Sequence, residues 1–254
     1  MTLLSFIYPF LLSLIITSVG FYKYTYLYSI DYAYSLTAMC IFLFMVYGNN
    51  LNNATFILCS LLILYSLRVV IYFHAREYNK NYSKEKNSNI NDGKSISFIN
   101  KVLLAIVHAF IYTCEISPVL FRIVNAKGIL AIAYAGIGIS FFGAMIEVLG
   151  DYQKLVKKKS TRFVDTGKSK MVHYPNYFGE ILFWTGIFVS GITVYNNSLQ
   201  WIFAIFGYCC IIMITYGATV PLEKTHLKKY QEYIKITPIF IPAILFNSLK
   251  KVSF

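Results

Sequence analysis

The sequence predicts an all-α fold, a polytopic membrane bundle of about seven transmembrane helices with a polar rim on its cytosolic side. Apolar residues make up 57% of the 254-residue chain and charged residues only 13%, which is about half the charged share of a soluble domain. Seven apolar runs approach the roughly 20 residues with which a helix crosses about 30 Å of hydrocarbon. The segments between these runs alternate between basic and nearly uncharged, as expected for loops on alternating sides of a membrane.

The predicted spans follow one another in a single membrane domain over residues 1–254. They lie at 3–22, 32–47, 55–73, 102–121, 128–149, 177–195 and 199–220. The first is kept as a mature span, because no basic residue precedes its apolar run and no clear small-residue cleavage site follows. Asp31 opens the second span, where a carboxylate suits the positive end of a helix dipole or serves as an N-cap.

The net charge of +12 is explained by membrane orientation, so nucleic acid is not a predicted partner. The loop after the third span, the loop after the fifth span and the tail carry six, seven and six Lys or Arg residues. The loops after the second and sixth spans carry none, and the loop after the fourth contains only Arg122 and Lys127. By the positive-inside rule, the amino terminus is outside or lumenal and the carboxyl terminus is cytosolic.

The fourth span contains two ionisable residues, His108 and Glu115, two turns apart on one helix face. Ionisable groups within a span indicate function, although an interhelical hydrogen bond is an equally simple explanation. The five cysteines lie within the predicted spans and lack the spacing of metal ligands. They are therefore interpreted as small buried hydrophobes, and no metal site is predicted.

Two sets of polar residues are predicted to face each other on the cytosolic rim, one at the end of the fifth helix and one at the start of the sixth span. If the fifth helix continues past its apolar run, Glu147, Asp151 and Lys154 share one face, as a site for a polyanionic ligand with hydroxyl groups would require. The sixth span begins at Pro175, which suits a helix start whose amides bind anions. Asn176, Tyr177, Phe178 and Glu180 follow, offering an amide, two rings and a carboxylate. An interfacial aromatic belt with a capping Asn is the alternative, but it does not explain Glu180.

These motifs resemble the steroid 5α-reductase-like family of integral-membrane proteins with a DUF1295 domain, over about residues 31–242. The resemblance is carried by Asp151-Tyr-Gln-Lys154 after Glu147, Pro175-Asn-Tyr-Phe-Gly-Glu180, and Glu223 followed by Lys229-Tyr230, Tyr233 and Thr237-Pro238. It implies NADPH-dependent reduction of a carbon-carbon double bond conjugated to a carbonyl in a lipid or steroid-like substrate. Carried over residue by residue, it implies a cofactor site formed by Asp151, Lys154, Asn176, Tyr177, Glu180, Glu223 and Tyr233.

The chain departs from the family pattern before the proline, where His173-Tyr174 replaces the usual Arg-His, so a phosphate-binding guanidinium is missing. The resemblance assigns no catalytic residue; Glu115 and His108 are candidates, as are several tyrosines. A membrane methyltransferase of the same superfamily, using S-adenosylmethionine, and a non-catalytic lipid-binding relative are the alternative functions. The sequence specifies neither the organelle nor the oligomeric state.

Overall fold

The computed structural model describes residues 2–18, 30–78, 97–125, 128–157 and 175–227, and within them all regular secondary structure is helical, with no strand. The helices are α1 (Thr2–Thr17), α2 (Ile30–Tyr47), α3 (Asn53–Tyr78), α4 (Phe98–Asn125), α5 (Leu130–Lys157), α6 (Pro175–Gly191) and α7 (Ser198–Leu227). A short 3₁₀ turn, Gly48–Asn50, joins α2 to the loop before α3. The described part of each predicted span corresponds to one helix, so the all-α fold class is confirmed.

Five of the described helices are long and apolar enough to cross a membrane: α2, α3, α4, α5 and α7. Their outward surfaces are apolar as well, with Leu64 and Phe142 each 66% exposed, as expected of side chains that face lipid. The chain is therefore a multi-pass integral membrane protein. The apolar part of α1, Leu4–Thr17, is shorter, and the 17 residues of α6 extend for only about 25 Å.

The differences from the predicted boundaries that affect the later argument are at the ends of the fourth and sixth spans. The sixth helix ends at Gly191, earlier than residue 195, because the backbone turns there: the Val194 N–H donates to the Gly191 carbonyl at 2.9 Å. Arg122, predicted to lie in a loop, is in the last turn of α4 and is 2% exposed. It is therefore a buried residue and not one of the surface charges by which orientation is judged.

The described helices group into two compact units. The first consists of Met1–Ile137 and Ile187–Tyr208. Here α4 packs against α1, α2 and α3, and α2 packs against α1 and α3 as well. Phe6 of α1 stacks on Phe203 of α7 with ring centroids 4.4 Å apart. Gly207 lets α7 approach the backbone of α4 at Cys114, where an added Cβ would collide with that backbone.

The second unit consists of Gly138–Gly186 and Cys209–Phe254. Within it, α5 from Gly138 onward packs along α6. The Ser140 hydroxyl of α5 donates to the backbone carbonyl of Phe183 in α6 at 2.9 Å. The hydrogen bond thus runs from a short side chain of one helix to the backbone of the other. Such a bond requires the two helices to lie very close together, and this close contact positions the candidate site.

Candidate functional site

Glycines set the distance between α5 and α6. A Cβ added to Gly179 of α6 would lie 2.6 Å from the Glu147 backbone nitrogen of α5, and one added to Gly150 would lie 2.9 Å from the Asn176 backbone nitrogen. Real Cβ atoms essentially never come within 3.0 Å of such atoms. Only glycine therefore permits this approach, and the same packing is common between membrane helices.

The close contact buries three polar side chains, which are those of Glu147 and Asp151 on α5 and Asn176 at the start of α6. Residues 147, 150 and 151 lie on one face of α5, because positions three and four apart are neighbours on a helix. The sequence predicted that the start of the sixth span faces Asp151, and the contact of Gly150 with Asn176 puts the two segments side by side. Their role in cofactor binding stays a prediction.

The Asn176 side chain is the most informative member of this cluster. It is 9% exposed, and its Oδ1 atom is buried without a hydrogen-bond partner among the residues that the structure describes. Leaving a buried acceptor unsatisfied costs about 1–3 kcal/mol. An N–H or O–H donor on a bound ligand would remove this cost.

Glu180 lies one turn further along α6 and is half-buried. The hydroxyl of Thr215, a buried residue of α7 in the same unit, donates to Glu180 Oε2 at 3.4 Å. Sequence reasoning missed Thr215, because a threonine inside an apolar helix usually bonds to its own helix backbone and gives no distinguishing signal.

The remaining predicted cofactor residues are only partly described. Tyr177 is half-buried in the first turn of α6. Lys154 lies in α5 and Glu223 in α7, but the structure does not describe their side chains. Tyr233 and the pair His173-Tyr174, which replaces the family's Arg-His, lie outside the described residues.

The two catalytic candidates, His108 and Glu115, are buried in α4 within the first unit. His108 Nδ1 is 2.7 Å from the Leu104 carbonyl, and because a carbonyl only accepts, Nδ1 carries the proton. The imidazole packs edge-on to Tyr112 with centroids 6.0 Å apart, and Tyr112 contacts Tyr32 of α2 in the same way at 5.3 Å. His108 therefore lies in an aromatic layer between α2 and α4.

The buried acceptors at the α5–α6 contact suit one chemical kind of ligand. Two carboxylates and an amide oxygen accept hydrogen bonds, so a ligand there must present N–H or O–H donors. The first amides of α6, in contrast, favour a negatively charged group. A molecule that combines hydroxyl or amide groups with phosphates meets both requirements.

These features define a class: multi-pass helical membrane proteins with buried acceptor groups along a glycine-packed helix pair. A protein-family profile described as a protein of unknown function (DUF1295) matches residues 23–237. The chain belongs to this DUF1295 family, and the matched region contains all helices from α2 to α7. No curated protein and no solved structure matches the chain. The DUF1295 part of the predicted resemblance is thus confirmed, whereas the steroid 5α-reductase-like part stays a prediction.

Proposed function

We propose that this protein is a membrane-embedded reductase that uses NADPH to reduce a carbon-carbon double bond conjugated to a carbonyl in a lipid or steroid-like substrate. The observation that carries the proposal is the unsatisfied Asn176 Oδ1 beside two buried carboxylates at the start of α6. Ribose hydroxyls and the nicotinamide carboxamide are donors of the kind that these acceptors require. The phosphates of the same molecule suit the first amides of α6.

When bound, NADPH supplies a hydride to the β carbon of the conjugated bond. The protein must then deliver a proton to the α carbon and polarise the carbonyl oxygen, which takes up negative charge as the hydride arrives. His108 and Glu115 remain the candidates for the proton donor. Asp151, Lys154, Asn176, Tyr177, Glu180, Glu223 and Tyr233 are proposed to hold the cofactor.

The proposal includes an orientation. With the amino terminus outside or lumenal and the carboxyl terminus cytosolic, the end of α5 and the start of α6 face the cytosol, where the dinucleotide is available. The long basic connections lie on the same side. An apolar substrate would enter laterally from the bilayer, among the first four spans.

Ligand-dependent thermal unfolding of the purified protein in detergent separates the candidate functions. A ligand at 100 times its Kd stabilises the folded state by about 2.7 kcal/mol. We expect NADPH to raise Tm and S-adenosylmethionine to leave it unchanged. The reverse pattern favours a methyltransferase, and no response to either ligand favours a non-catalytic lipid-binding protein.

Substitutions in the cluster test the site itself. Asn176→Ala removes the buried acceptor, and we expect NADPH affinity to fall about 5- to 150-fold, which corresponds to 1–3 kcal/mol. Asp151→Ala should weaken binding as well. Asn49→Ala, at an exposed asparagine of the 3₁₀ turn, is the matched control and should bind normally. Folded Asn176→Ala and Asp151→Ala proteins with unchanged NADPH affinity would refute the reductase proposal.

A further inference from the structure

A second polar cluster lies in the first unit, where the end of α4 meets the connection between α6 and α7. Arg122 Nη1 donates to the Ser190 carbonyl at 2.9 Å. Asn125 Nδ2 donates to the Val194 carbonyl at 2.7 Å and to Gln200 Oε1 at 3.0 Å. We call Arg122, Asn125 and Gln200 the Arg122 cluster.

The orientation of the Gln200 amide is fixed by its neighbours. Its Oε1 accepts from Asn125 Nδ2 and from the Asn196 backbone N–H, the latter at 2.7 Å. A flipped amide would place its NH₂ group against two donors, so Nε2 points away from them. The residue is 0% exposed, and Nε2 has no hydrogen-bond partner among the described residues. It is therefore a buried donor with two uncommitted hydrogens.

Arg122 adds a positive charge to this excess of donors. Its guanidinium is buried, and the Nε–H has no hydrogen-bond partner in the part of the chain that the structure describes. Its one hydrogen bond there is to a neutral carbonyl, and no carboxylate pairs with it within the described helices and turns. Removing an arginine from water costs several kcal/mol unless an anion compensates. The missing element is thus a negatively charged acceptor.

The backbone around the cluster is arranged for close approach. Gly128 has φ of +146°, a conformation that other residues rarely adopt, and a Cβ there would lie 2.5 Å from Val194 Cγ1 and 3.4 Å from Arg122 Nη1. Asn197 Oδ1 caps α7 by accepting from the Gln200 backbone N–H at 3.0 Å. The positive end of the α7 dipole therefore also points toward the cluster and favours an anion.

We propose that the Arg122 cluster binds a phosphate-class oxyanion, with Arg122 Nε and Gln200 Nε2 as its donors. Because the cluster lies at helix ends, on the side predicted to be outer or lumenal, the phosphate comes either from a lipid headgroup of that leaflet or from solution. This site is separate in sequence and residues from the proposed cofactor cluster, and its test requires no NADPH and no activity.

The test measures thermal unfolding of the whole protein in a maltoside detergent at constant ionic strength. The probes are inorganic phosphate and dioctanoyl phosphatidylglycerol, with dioctanoylglycerol as the phosphate-free lipid. We expect a saturable increase in Tm of at least about 2 °C. A response to inorganic phosphate identifies a free anion as sufficient, and a response to phosphatidylglycerol alone identifies a headgroup. No response to either, or an equal response to dioctanoylglycerol, overturns the proposal.

Variants connect the response to the cluster. Arg122→Met keeps most of the side-chain volume and removes the charge, and we expect the apparent affinity for the responding probe to fall at least about tenfold. Arg68→Met is the matched control, since Arg68 is a half-buried arginine of α3 in the same unit. Arg68→Met should retain the response to the probe. Loss of the response in both variants would argue against a specific site.

Gln200→Glu provides a test that does not depend on Arg122→Met remaining folded. The new carboxylate keeps the acceptor for Asn125 and places an anion where Nε2 was, so it supplies the missing counter-charge from within the chain. We expect Gln200→Glu to have a higher Tm than wild type without ligand and to respond to neither probe. A lower Tm together with a retained response would contradict the assignment of Gln200 Nε2 as a ligand donor.

Discussion

Thr215 contributes to the candidate site through one hydrogen bond, which its hydroxyl donates to Glu180. Thr215 is buried on α7, and its hydroxyl donates to the half-buried carboxylate of Glu180 at 3.4 Å. A carboxylate taken out of water needs donors to offset its lost hydration. The bond is long, so its contribution lies toward the lower end of what bonds to charged groups supply.

We expect Thr215→Val, which keeps the shape and removes the donor, to lower the free energy of unfolding by about 1 kcal/mol. Thr215→Ser keeps the hydroxyl and is the matched control for the hydrogen bond. Chemical denaturation of both variants in detergent measures the difference. If Thr215→Val is as stable as wild type, the hydroxyl makes no contribution.

Sequence reasoning found some site residues and missed others for identifiable reasons. Asp151 and Asn176 were recognisable because polar residues at the end of one apolar run and the start of another need an explanation. Arg122 was misplaced, since the sequence does not reveal that α4 continues to Asn125. Gln200 was overlooked because a single amide near a helix start is an ordinary feature. Its side chain bonds to Asn125, which is distant in sequence, and to the backbone of Asn196, which is nearby, and the sequence alone does not reveal either contact.

At the scale of elements, α5 illustrates how glycine spacing relates to helix contact. The series Gly136, Gly138 and Gly143 predicts close approach by another helix. Gly143 is indeed in contact with α6, since an added Cβ would lie 2.7 Å from the Gly179 carbonyl oxygen and 2.8 Å from Phe183 Cα. Gly138, however, has nothing within 4 Å. The contact instead continues two turns further on, at Gly150, on the same face as Gly143.

This difference predicts opposite effects for two alanine substitutions in one helix. Gly143→Ala should lower the free energy of unfolding by about 1–3 kcal/mol, because backbone atoms of α6 must move to admit the methyl group. Gly138→Ala should be neutral or stabilise by up to about 1 kcal/mol through helix propensity alone. Thermal unfolding in detergent compares them directly. Equal effects at the two positions would mean that α5 and α6 are not held in contact at Gly143.

At the scale of the whole molecule, the class of protein was predictable and the packing was not. Composition, seven apolar runs and alternating loop charge were enough to predict a multi-pass helical protein, and they depend only on the bilayer as solvent. Which face of each helix is buried is a different question, because lipid tails are as apolar as leucine. In α3, Leu62 is fully buried while Leu64 is mostly exposed, yet the sequence gives no reason to distinguish them.

The orientation of the whole chain is the prediction on which the cytosolic position of the cofactor site depends. Ser97, just before α4, and Asn196, in the connection between α6 and α7, are both exposed and lie in loops predicted to be on opposite sides. We expect Asn196→Cys to react with a charged, membrane-impermeant thiol reagent in intact cells, and Ser97→Cys to react only after permeabilisation. The parent protein is the control, because its native cysteines Cys40, Cys59, Cys114, Cys209 and Cys210 all lie within helices of the membrane bundle. The reverse labelling pattern would place the amino-terminal end of α6 on the outer side, away from cytosolic NADPH, and the proposed cofactor site would then lose its supply.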